Sequence, residues 1–344
     1  MSMRLGLIAR ADNRGLGIQL WEAYRHLGPH KTMVVDCRSR APLPLHLERF
    51  PDATVVHGIP TISDCREFLR DLDIVFTAET PYNPQLFAEA DRRGVKTVLQ
   101  YNFELLGHLQ QPGLPAPTLF AAPSLWRYDD VRFANKQYLP VPIATDRFPA
   151  VARRGPAERF LHIVGRPAVH DRNGTPDLLD ALRYVRSPIT LTIKCQDPHY
   201  VPHLLTTRTI PRHIDLIVDN GDVDHYWDNY TGADVLLMPR RFGGLCLPAQ
   251  EALGAGMPVV MPAIDPNTWL DPDWLVPARA CGSFMAKARI ELYSVDPKAL
   301  AHTIDRFATD AVFYAGAEAR ARDHAKRLSW DSLKPVYDHT FAHL

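Results

Sequence analysis

The chain has little of what marks membrane, nucleic-acid-binding or exported proteins. Its charges balance, with 39 lysine and arginine residues against 39 aspartate and glutamate residues, so no long-range field is expected to attract nucleic acid. No apolar run approaches the ~18 residues of a membrane-spanning helix, and no basic amphipathic stretch marks a helix at a membrane surface. The sequence begins directly with an apolar strand pattern rather than a secretion signal. We therefore expect a cytoplasmic protein without stable membrane insertion.

Cysteine and metal-binding motifs are also scarce. The chain has five cysteines, an odd number without any Cys-x-x-Cys pair, which argues against a disulfide framework and against a thiolate zinc site. Its 15 histidines do not assemble a recognisable zinc motif, and Asp271-Pro-Asp273 is a weak divalent-cation pattern in a proline-rich loop. We expect no metal and no resident cofactor.

The length and the strand pattern predict two α/β domains. The 344 residues exceed the ~250–300 at which a single core stops growing. Short apolar runs alternate with stretches of helical spacing, which is typical of parallel, doubly wound sheets. The predicted strands lie at residues 3–9, 32–35, 54–56, 73–77, 95–99, 118–121, 159–164 and 233–238. Residues 138–148, with Pro140 and Pro142, interrupt the alternation and predict an extended linker.

The most informative segment is residues 239–260. It contains a loop with paired glycines, Gly243 and Gly244, followed by Pro248 at the predicted first position of a helix. A glycine loop that leads into a helix presents unpaired backbone N–H groups and the positive end of the helix dipole, which favours a phosphate. Glu251, one turn into this helix, has the carboxylate needed to accept two hydrogen bonds from a vicinal diol such as a ribose. The segment therefore predicts a nucleotide-sugar site.

This segment resembles the donor-site signature of the retaining glycosyltransferases of the GT-B fold that are usually called family four (glycosyl transferases group 1). The matching residues are Leu247, Pro248, Glu251, Ala252, Gly256, Pro258, Val259 and Val260. The family signature carries two glutamates, written Glu-x7-Glu, and Gly243 stands in place of the first. In the family that first glutamate contacts the donor sugar, whereas the second binds the ribose.

The resemblance implies a domain organisation. Two Rossmann-like, doubly wound α/β domains would face a central cleft. Residues 1–142 would form an N-terminal acceptor domain, and residues 143–328 a C-terminal nucleotide-sugar domain. Residues 329–344, which begin with a Ser-Trp pair like that of the family, would form a helix that packs back on the N-terminal domain.

The resemblance also assigns residues to the donor. Arg166 directly follows a glycine and matches a family arginine that neutralises the donor diphosphate. Arg172 is the cation nearest to the family's lysine position, and a guanidinium can bind two phosphate oxygens at once. The alternative is that both are solvated loop arginines. The other residues expected at the donor are Gly15, Gly17, Arg241 or its neighbour Arg240, Gly243, Gly244, Leu245 and Glu251.

Three polar residues that follow N-domain strands are the candidates for catalysis: Glu79, Asn102 and Glu104. A carboxylate that orients or deprotonates an acceptor hydroxyl needs a pKa raised toward neutral, and Glu79 and Glu104 are the carboxylates available. Many family members carry a histidine where this chain has Tyr101-Asn102.

The expected function is transfer of a sugar from a nucleoside-diphosphate sugar to an acceptor, with retention and without metal, as the resemblance implies. Two alternatives stay open. One is another nucleotide-sugar reaction on the same fold, either epimerisation or hydrolysis. The other is a non-catalytic nucleotide-sugar binder, which the missing first glutamate motivates. No pattern identifies the acceptor, which is a carbohydrate, a protein, a small molecule or a modified nucleic acid, and none indicates the oligomeric state.

Overall fold

The computed structural model describes residues 3–37, 44–108, 113–148 and 155–344, and the chain divides into two compact units. The first unit comprises Met1–Pro142, Met285–Arg289 and Trp330–Leu344. The second comprises Ile143–Phe284 and Ile290–Ser329. Each unit contains a parallel sheet with helices, so the doubly wound α/β arrangement that the sequence predicts is confirmed.

The strands and helices are numbered in chain order. The strands are β1 (Leu5–Ala9), β2 (Lys31–Asp36), β3 (Thr54–His57), β4 (Ile74–Glu79), β5 (Lys96–Tyr101), β6 (Leu119–Ala122), β7 (Lys136–Tyr138), β8 (Arg159–Gly165), β9 (Ile189–Cys195), β10 (Ile214–Asn220), β11 (Val235–Leu237), β12 (Val259–Pro262), β13 (Leu275–Val276), β14 (Ala278–Met285) and β15 (Arg289–Val295). The helices are α1 (Gly15–Leu27), α2 (Ile62–Phe68), α3 (Gln85–Asp91), α4 (Thr175–Leu182), α5 (Tyr200–Leu205), α6 (Leu247–Gly254), α7 (Pro297–Thr309), α8 (Ala311–Arg327) and α9 (Trp330–Ala342).

The first unit is built on a seven-stranded sheet in the order β3-β2-β1-β4-β5-β6-β7, with parallel pairing throughout. All five residues of β1 and the first five of β4 are buried, because helices cover both faces of such a sheet. The chain runs outward from β1 to β3 and then returns to β4 on the other side of β1. The loops after β1 and β4 therefore meet at the point where the strand order reverses, which is where open α/β sheets bind ligands.

The last helix, α9, belongs to the first unit. The ring of Trp330 stacks on His26 of α1 with centroids 4.7 Å apart. The hydroxyl of Tyr337 donates to the Pro140 carbonyl at 3.0 Å and accepts from the Gln100 side chain at 3.1 Å. These buried polar contacts fix the rotation of α9 against the sheet.

The second unit repeats the same topology with a six-stranded sheet in the order β10-β9-β8-β11-β12-β13. Its strand order reverses between β8 and β11, which pair in parallel. Residue types that favour a helix start begin α7: the Asp296 side chain accepts from the Lys298 and Ala299 N–H groups, and Pro297 takes the first helical position. β14 and β15 form a separate two-stranded sheet.

Several predicted bounds shift by one or two residues. α6 begins at Leu247, one residue before the predicted start at Pro248, and β11 begins at Val235 rather than at residue 233. The expected extended stretch 138–148 contains a 3-10 turn at Thr145–Arg147. Among the residues described, no helix is long and apolar enough to cross a membrane.

Candidate functional site

Two loops of the second unit meet where its strand order reverses. We call the segment 166–174, between β8 and α4, the first loop, and the segment 238–246, between β11 and α6, the second loop. The Arg241 N–H donates to the Arg172 carbonyl at 2.8 Å, and the Arg172 guanidinium donates to the Gly243 carbonyl at 3.0 Å. The two loops are therefore hydrogen-bonded to each other in both directions.

Arg172 is held in this position by an aromatic ring as well. Its guanidinium lies over the ring of Phe242 with 4.8 Å to the centroid, a cation–π contact, and the residue is half-buried. The predicted donor residues Arg172, Gly243 and Gly244 thus lie together. A fixed guanidinium beside a glycine loop and the start of a helix is suited to an anion.

Arg166 differs from Arg172 because it is exposed. It follows Gly165, whose φ of 60° turns the chain out of β8. In the described part of the chain its guanidinium has no hydrogen bond and no ion pair. Arg166 is therefore available to a phosphate that reaches the end of β8.

The structure gives Arg240 and Arg241 bracing contacts. The Arg241 guanidinium donates to the carbonyls of His170 at 3.1 Å and Tyr293 at 3.3 Å, and to the sulfur of Cys281 at 3.2 Å. Arg240 is only 7% exposed and donates to the carbonyls of two residues of its own loop, Phe242 and Leu245. Both arginines hold loops in place, and a direct contact of Arg241 with the donor stays a prediction.

Gly174 sets the distance between the two loops. Its φ is 72°, and a Cβ at this position would lie 1.9 Å from the Pro239 carbonyl oxygen. Only glycine allows both that backbone conformation and that approach. Gly244 in the second loop also has a positive φ, 88°, which favours glycine at this position.

Glu251 lies on α6 and accepts a hydrogen bond from the hydroxyl of Tyr230. Tyr230 is buried, and burial together with the Glu251 charge raises the pKa of its phenol well above the ordinary value. The phenol therefore stays protonated and acts as a donor. Phe148 packs edge-on against Tyr230 with centroids 5.8 Å apart, which fixes the ring. The carboxylate that the sequence assigns to a ribose is thus oriented from behind by a residue that the sequence analysis missed.

A buried histidine connects β8, β11 and α4, the elements that flank the two loops. His162 on β8 contacts the Leu237 carbonyl of β11 through Nδ1 at 2.8 Å and the Thr175 hydroxyl of α4 through Nε2 at 3.0 Å. A carbonyl only accepts, so Nδ1 carries the proton and Nε2 accepts from the hydroxyl. Burial lowers the pKa of His162 to about 4, so the ring is neutral at pH 7. The one sequence signal was a histidine inside an otherwise apolar strand.

In the first unit, the predicted donor residues Gly15 and Gly17 lie in the first turn of α1. A Cβ on Gly17 would lie 2.0 Å from the Asp12 carbonyl oxygen, so only glycine fits there. The residue before the helix, Arg14, makes no side-chain capping bond, and the first turn, which begins at Gly15, has no acidic residue. The first N–H groups of α1 therefore favour an anion.

The three candidate catalytic residues lie at the carboxyl ends of two neighbouring strands, β4 and β5. Glu79 ends β4 and pairs in register with Tyr101, the residue before Asn102. The Asn102 side-chain oxygen accepts from the Glu104 N–H at 3.2 Å. Glu79 has a φ of 61°, which is unusual for a residue other than glycine and marks local strain. Their neighbourhood fits the prediction, and their catalytic roles stay predictions.

Among the residues that the structure describes, no three histidine, cysteine, aspartate or glutamate side chains gather in a way that could hold a metal ion.

Compared as a sequence, the chain matches no protein-family model and no curated protein. Compared as a structure, it is similar to sucrose-phosphate synthase from Thermosynechococcus elongatus, with a TM-score of 0.69 and 16% identity over the whole of both chains. It is also similar to the HepE protein from Anabaena, solved with UDP and glucose, with a TM-score of 0.71 and 12% identity over the whole of both chains. The fold is GT-B.

A third similar structure is that of trehalose-6-phosphate synthase, solved to study glycosyl transfer with retention. Its TM-score is 0.64 at 12% identity, and 99% of each chain is covered. The chain therefore shares its two Rossmann-like α/β domains, each with a parallel sheet, with these glycosyltransferases.

Proposed function

We propose that this protein is a glycosyltransferase that moves a sugar from a nucleoside-diphosphate sugar to an acceptor. The observation that carries the proposal is the meeting of Arg166, Arg172 and the second loop where the strand order of the second unit reverses, with Glu251 one turn into the helix that follows. The GT-B fold shared with glycosyltransferases supports it. HepE, one of the similar structures, was solved with UDP and glucose, which supports a nucleotide-sugar donor.

In this proposal each residue has a chemical task. Glu251, oriented by Tyr230, accepts hydrogen bonds from the ribose hydroxyls. Arg166 and Arg172 bind the diphosphate, and the N–H groups at the start of α6 add a partial positive charge. Negative charge on the diphosphate grows as the glycosidic bond breaks, so these groups stabilise the transition state. We propose that the two guanidinium groups supply this charge without a metal ion.

The proposed reaction proceeds on one face of the sugar. The bond from the anomeric carbon to the leaving phosphate breaks, the bond to the acceptor oxygen forms on the same face, and the acceptor proton passes to the departing phosphate. The resemblance to retaining enzymes supports this course, as does the retention studied in trehalose-6-phosphate synthase. Glu79, Asn102 and Glu104 would orient the acceptor hydroxyl.

One observation favours a second candidate. The second loop contains no carboxylate, because Gly243 stands where the family signature has its first glutamate. A protein that binds the nucleotide sugar without transferring it, or that isomerises or hydrolyses it, would keep Glu251 and the arginines while losing that sugar contact.

A thermal-shift screen tests the proposal first at the level of binding. The full chain is heated with UDP-, GDP-, ADP- and dTDP-sugars, and one nucleotide class is expected to raise the melting temperature, since saturation at 100 times Kd adds about 2.7 kcal/mol of stability. The Arg172→Gln variant should lose most of this response. The Arg208→Gln variant is the control, because Arg208 pairs with Asp180 elsewhere in the second unit and should respond as wild type.

Labelled donor then decides what happens to the sugar. Transfer to a component of an acceptor mixture supports the proposal, whereas isomerised or released sugar supports the other reactions. Binding without any turnover supports the non-catalytic candidate. If no nucleotide sugar raises the melting temperature, the proposal is wrong.

A further inference from the structure

A two-stranded hairpin lies against both loops of the second unit. β14 and β15 are joined by residues 286–288, and residues 278–284 and 290–295 of the hairpin belong to the second unit. In β14, residues 279–283 are exposed, whereas Phe284 is half-buried. A hairpin of two strands is only marginally stable by itself, so its position depends on what it packs against. Contacts between this hairpin and the two loops therefore stabilise both partners.

Phe284 contacts an aromatic ring in each loop. Its ring is tilted against that of His170 in the first loop, with centroids 4.3 Å apart. It also packs edge-on against Phe242 of the second loop, with centroids 5.2 Å apart. Aromatic pairs at such distances add stability beyond the area that they bury, and they favour a limited set of geometries. One side chain of the hairpin therefore fixes two rings that come from different loops.

Phe242 connects this contact to Arg172. The side chain of Phe242 is 2% exposed, and the Arg172 guanidinium lies over its ring at 4.8 Å from the centroid. A buried ring in a packed interior cannot move without its neighbours, so the position of Phe242 depends on Phe284. Arg172 also donates to the Gly243 carbonyl. Loss of the Phe284 ring should therefore shift the guanidinium rather than release it.

Polar contacts of the hairpin reinforce the same arrangement. The Tyr293 N–H of β15 donates to the Arg241 carbonyl of the second loop at 2.8 Å. Asp177, in the first turn of α4, accepts hydrogen bonds from the Ser294 side chain and the Val295 N–H. The hairpin thus contacts the first loop, the helix that this loop enters, and the second loop.

We propose that Phe284 is a positioning residue for the donor diphosphate and acts through Phe242 on Arg172. The inference rests on the proposed function and adds to its donor site a residue that touches no part of the donor. Phe284 holds the ring on which the guanidinium lies, so the guanidinium is in place before the ligand binds. Less conformational freedom is then lost on binding, which raises the affinity.

The test is calorimetric titration of UDP into the full chain. Phe284→Leu keeps an apolar side chain but removes the ring, and UDP binding is expected to weaken about threefold to tenfold. Phe284→Tyr restores the ring and should bind UDP within about twofold of wild type. Phe313→Leu is the matched control, because Phe313 on α8 packs against Phe307 at 4.8 Å and lies under the Arg306 guanidinium at 3.7 Å. It should bind UDP as wild type does.

A double-mutant cycle separates positioning of Arg172 from a general loss of order in the second unit. In the Arg172→Gln background, Phe284→Leu should change the UDP affinity by less than about twofold, because the group that it positions is gone. In the Glu251→Ala background it should keep its full effect, since Glu251 belongs to the proposed ribose end of the site. Equal effects in the two backgrounds would overturn the inference, as would wild-type affinity of Phe284→Leu.

Hydrogen exchange provides a measurement that needs no ligand. If neither UDP nor another nucleotide of the screen binds, the proposed function is wrong on its own account, and exchange then decides the inference. The Arg241 amide donates to the Arg172 carbonyl and so reports the contact between the loops. Phe284→Leu should speed its exchange about threefold or more, whereas Phe313→Leu should leave it unchanged. Wild-type exchange of this amide in Phe284→Leu would overturn the inference.

Discussion

Both units have residues other than glycine at positive φ near the strands where their order reverses, and in the second unit the two loops there are also hydrogen-bonded to each other. Around the two loops of the second unit, Arg240, Arg241 and His162 each hold a backbone carbonyl in place. In the first unit, Glu79 at the end of β4 and Tyr82 after it have positive φ angles, as His170 and Asp171 do in the first loop of the second unit. Two loops that are hydrogen-bonded to each other suit a ligand part with a fixed shape, such as the nucleotide of the proposed donor.

The largest loss of stability is expected from a substitution at the close contact between the two loops of the second unit. Gly174→Ala places a Cβ against the Pro239 carbonyl at a positive φ, and should cost more than about 3 kcal/mol in the free energy of unfolding and abolish nucleotide binding. Gly17→Ala in the first unit has the same backbone clash without the positive φ, so about 2–3 kcal/mol is expected.

Gly28→Ala is the control for backbone strain alone, because its φ is 57° and nothing lies within 4 Å of the added Cβ. A cost of about 1 kcal/mol is expected there. Urea unfolding measures all three. Equal losses for Gly174→Ala and Gly28→Ala would show that the approach of the two loops contributes nothing.

The second prediction concerns pH and His162. The folded pKa of about 4 lies below the ordinary 6.5, so the unfolded chain binds the proton first as pH falls. The neutral ring therefore stabilises the fold above pH 6.5, and this contribution is lost as pH falls toward 4. The difference between these two pKa values corresponds to about 3 kcal/mol in the free energy of unfolding.

The measurement compares the pH dependence of unfolding in wild type and His162→Gln between pH 7 and pH 4. The variant should be less stable at pH 7 and should lose less stability on acidification. If the two curves run parallel, His162 does not titrate in this range and its bracing role is wrong.

The third prediction compares Glu251, which would contact the ribose, with Tyr230, which orients the Glu251 carboxylate. Glu251→Ala should weaken nucleotide-sugar binding about thirtyfold or more without unfolding the chain, because charged hydrogen bonds to the ribose are lost. Tyr230→Phe should weaken it by only about threefold to tenfold, since the carboxylate remains but loses its orienting donor. Glu291→Ala is the control, because it breaks a similar pair with Tyr293 in the same unit. Calorimetry with the best nucleotide from the screen provides the measurement.

The sequence gives a more specific prediction of the site in the second unit than in the first. A contiguous motif places the glycine loop with Gly243, the start of a helix and Glu251 at fixed spacing, whereas Arg172 was assigned from the family resemblance; the binding roles of all three stay predictions. The alternation of strands and helices was enough to predict both sheets, and the bounds moved by a few residues because the ends of elements depend on local hydrogen bonds.

What the sequence did not predict depends on pairs far apart in the chain. Tyr230 and Glu251 are joined across 21 positions, and His162 and Leu237 across 75. No local spacing indicates such contacts.

The close approach of Gly174 to Pro239 has a consequence for engineering. The first and second loops share one backbone contact with no room for a side chain, so neither tolerates an insertion unless the other changes with it. Attempts to alter the proposed nucleotide preference by grafting a single loop from another protein of the GT-B fold should therefore give a poorly folded chain. Exchange of both loops together with β8 and β11 should preserve the contact between Gly174 and Pro239.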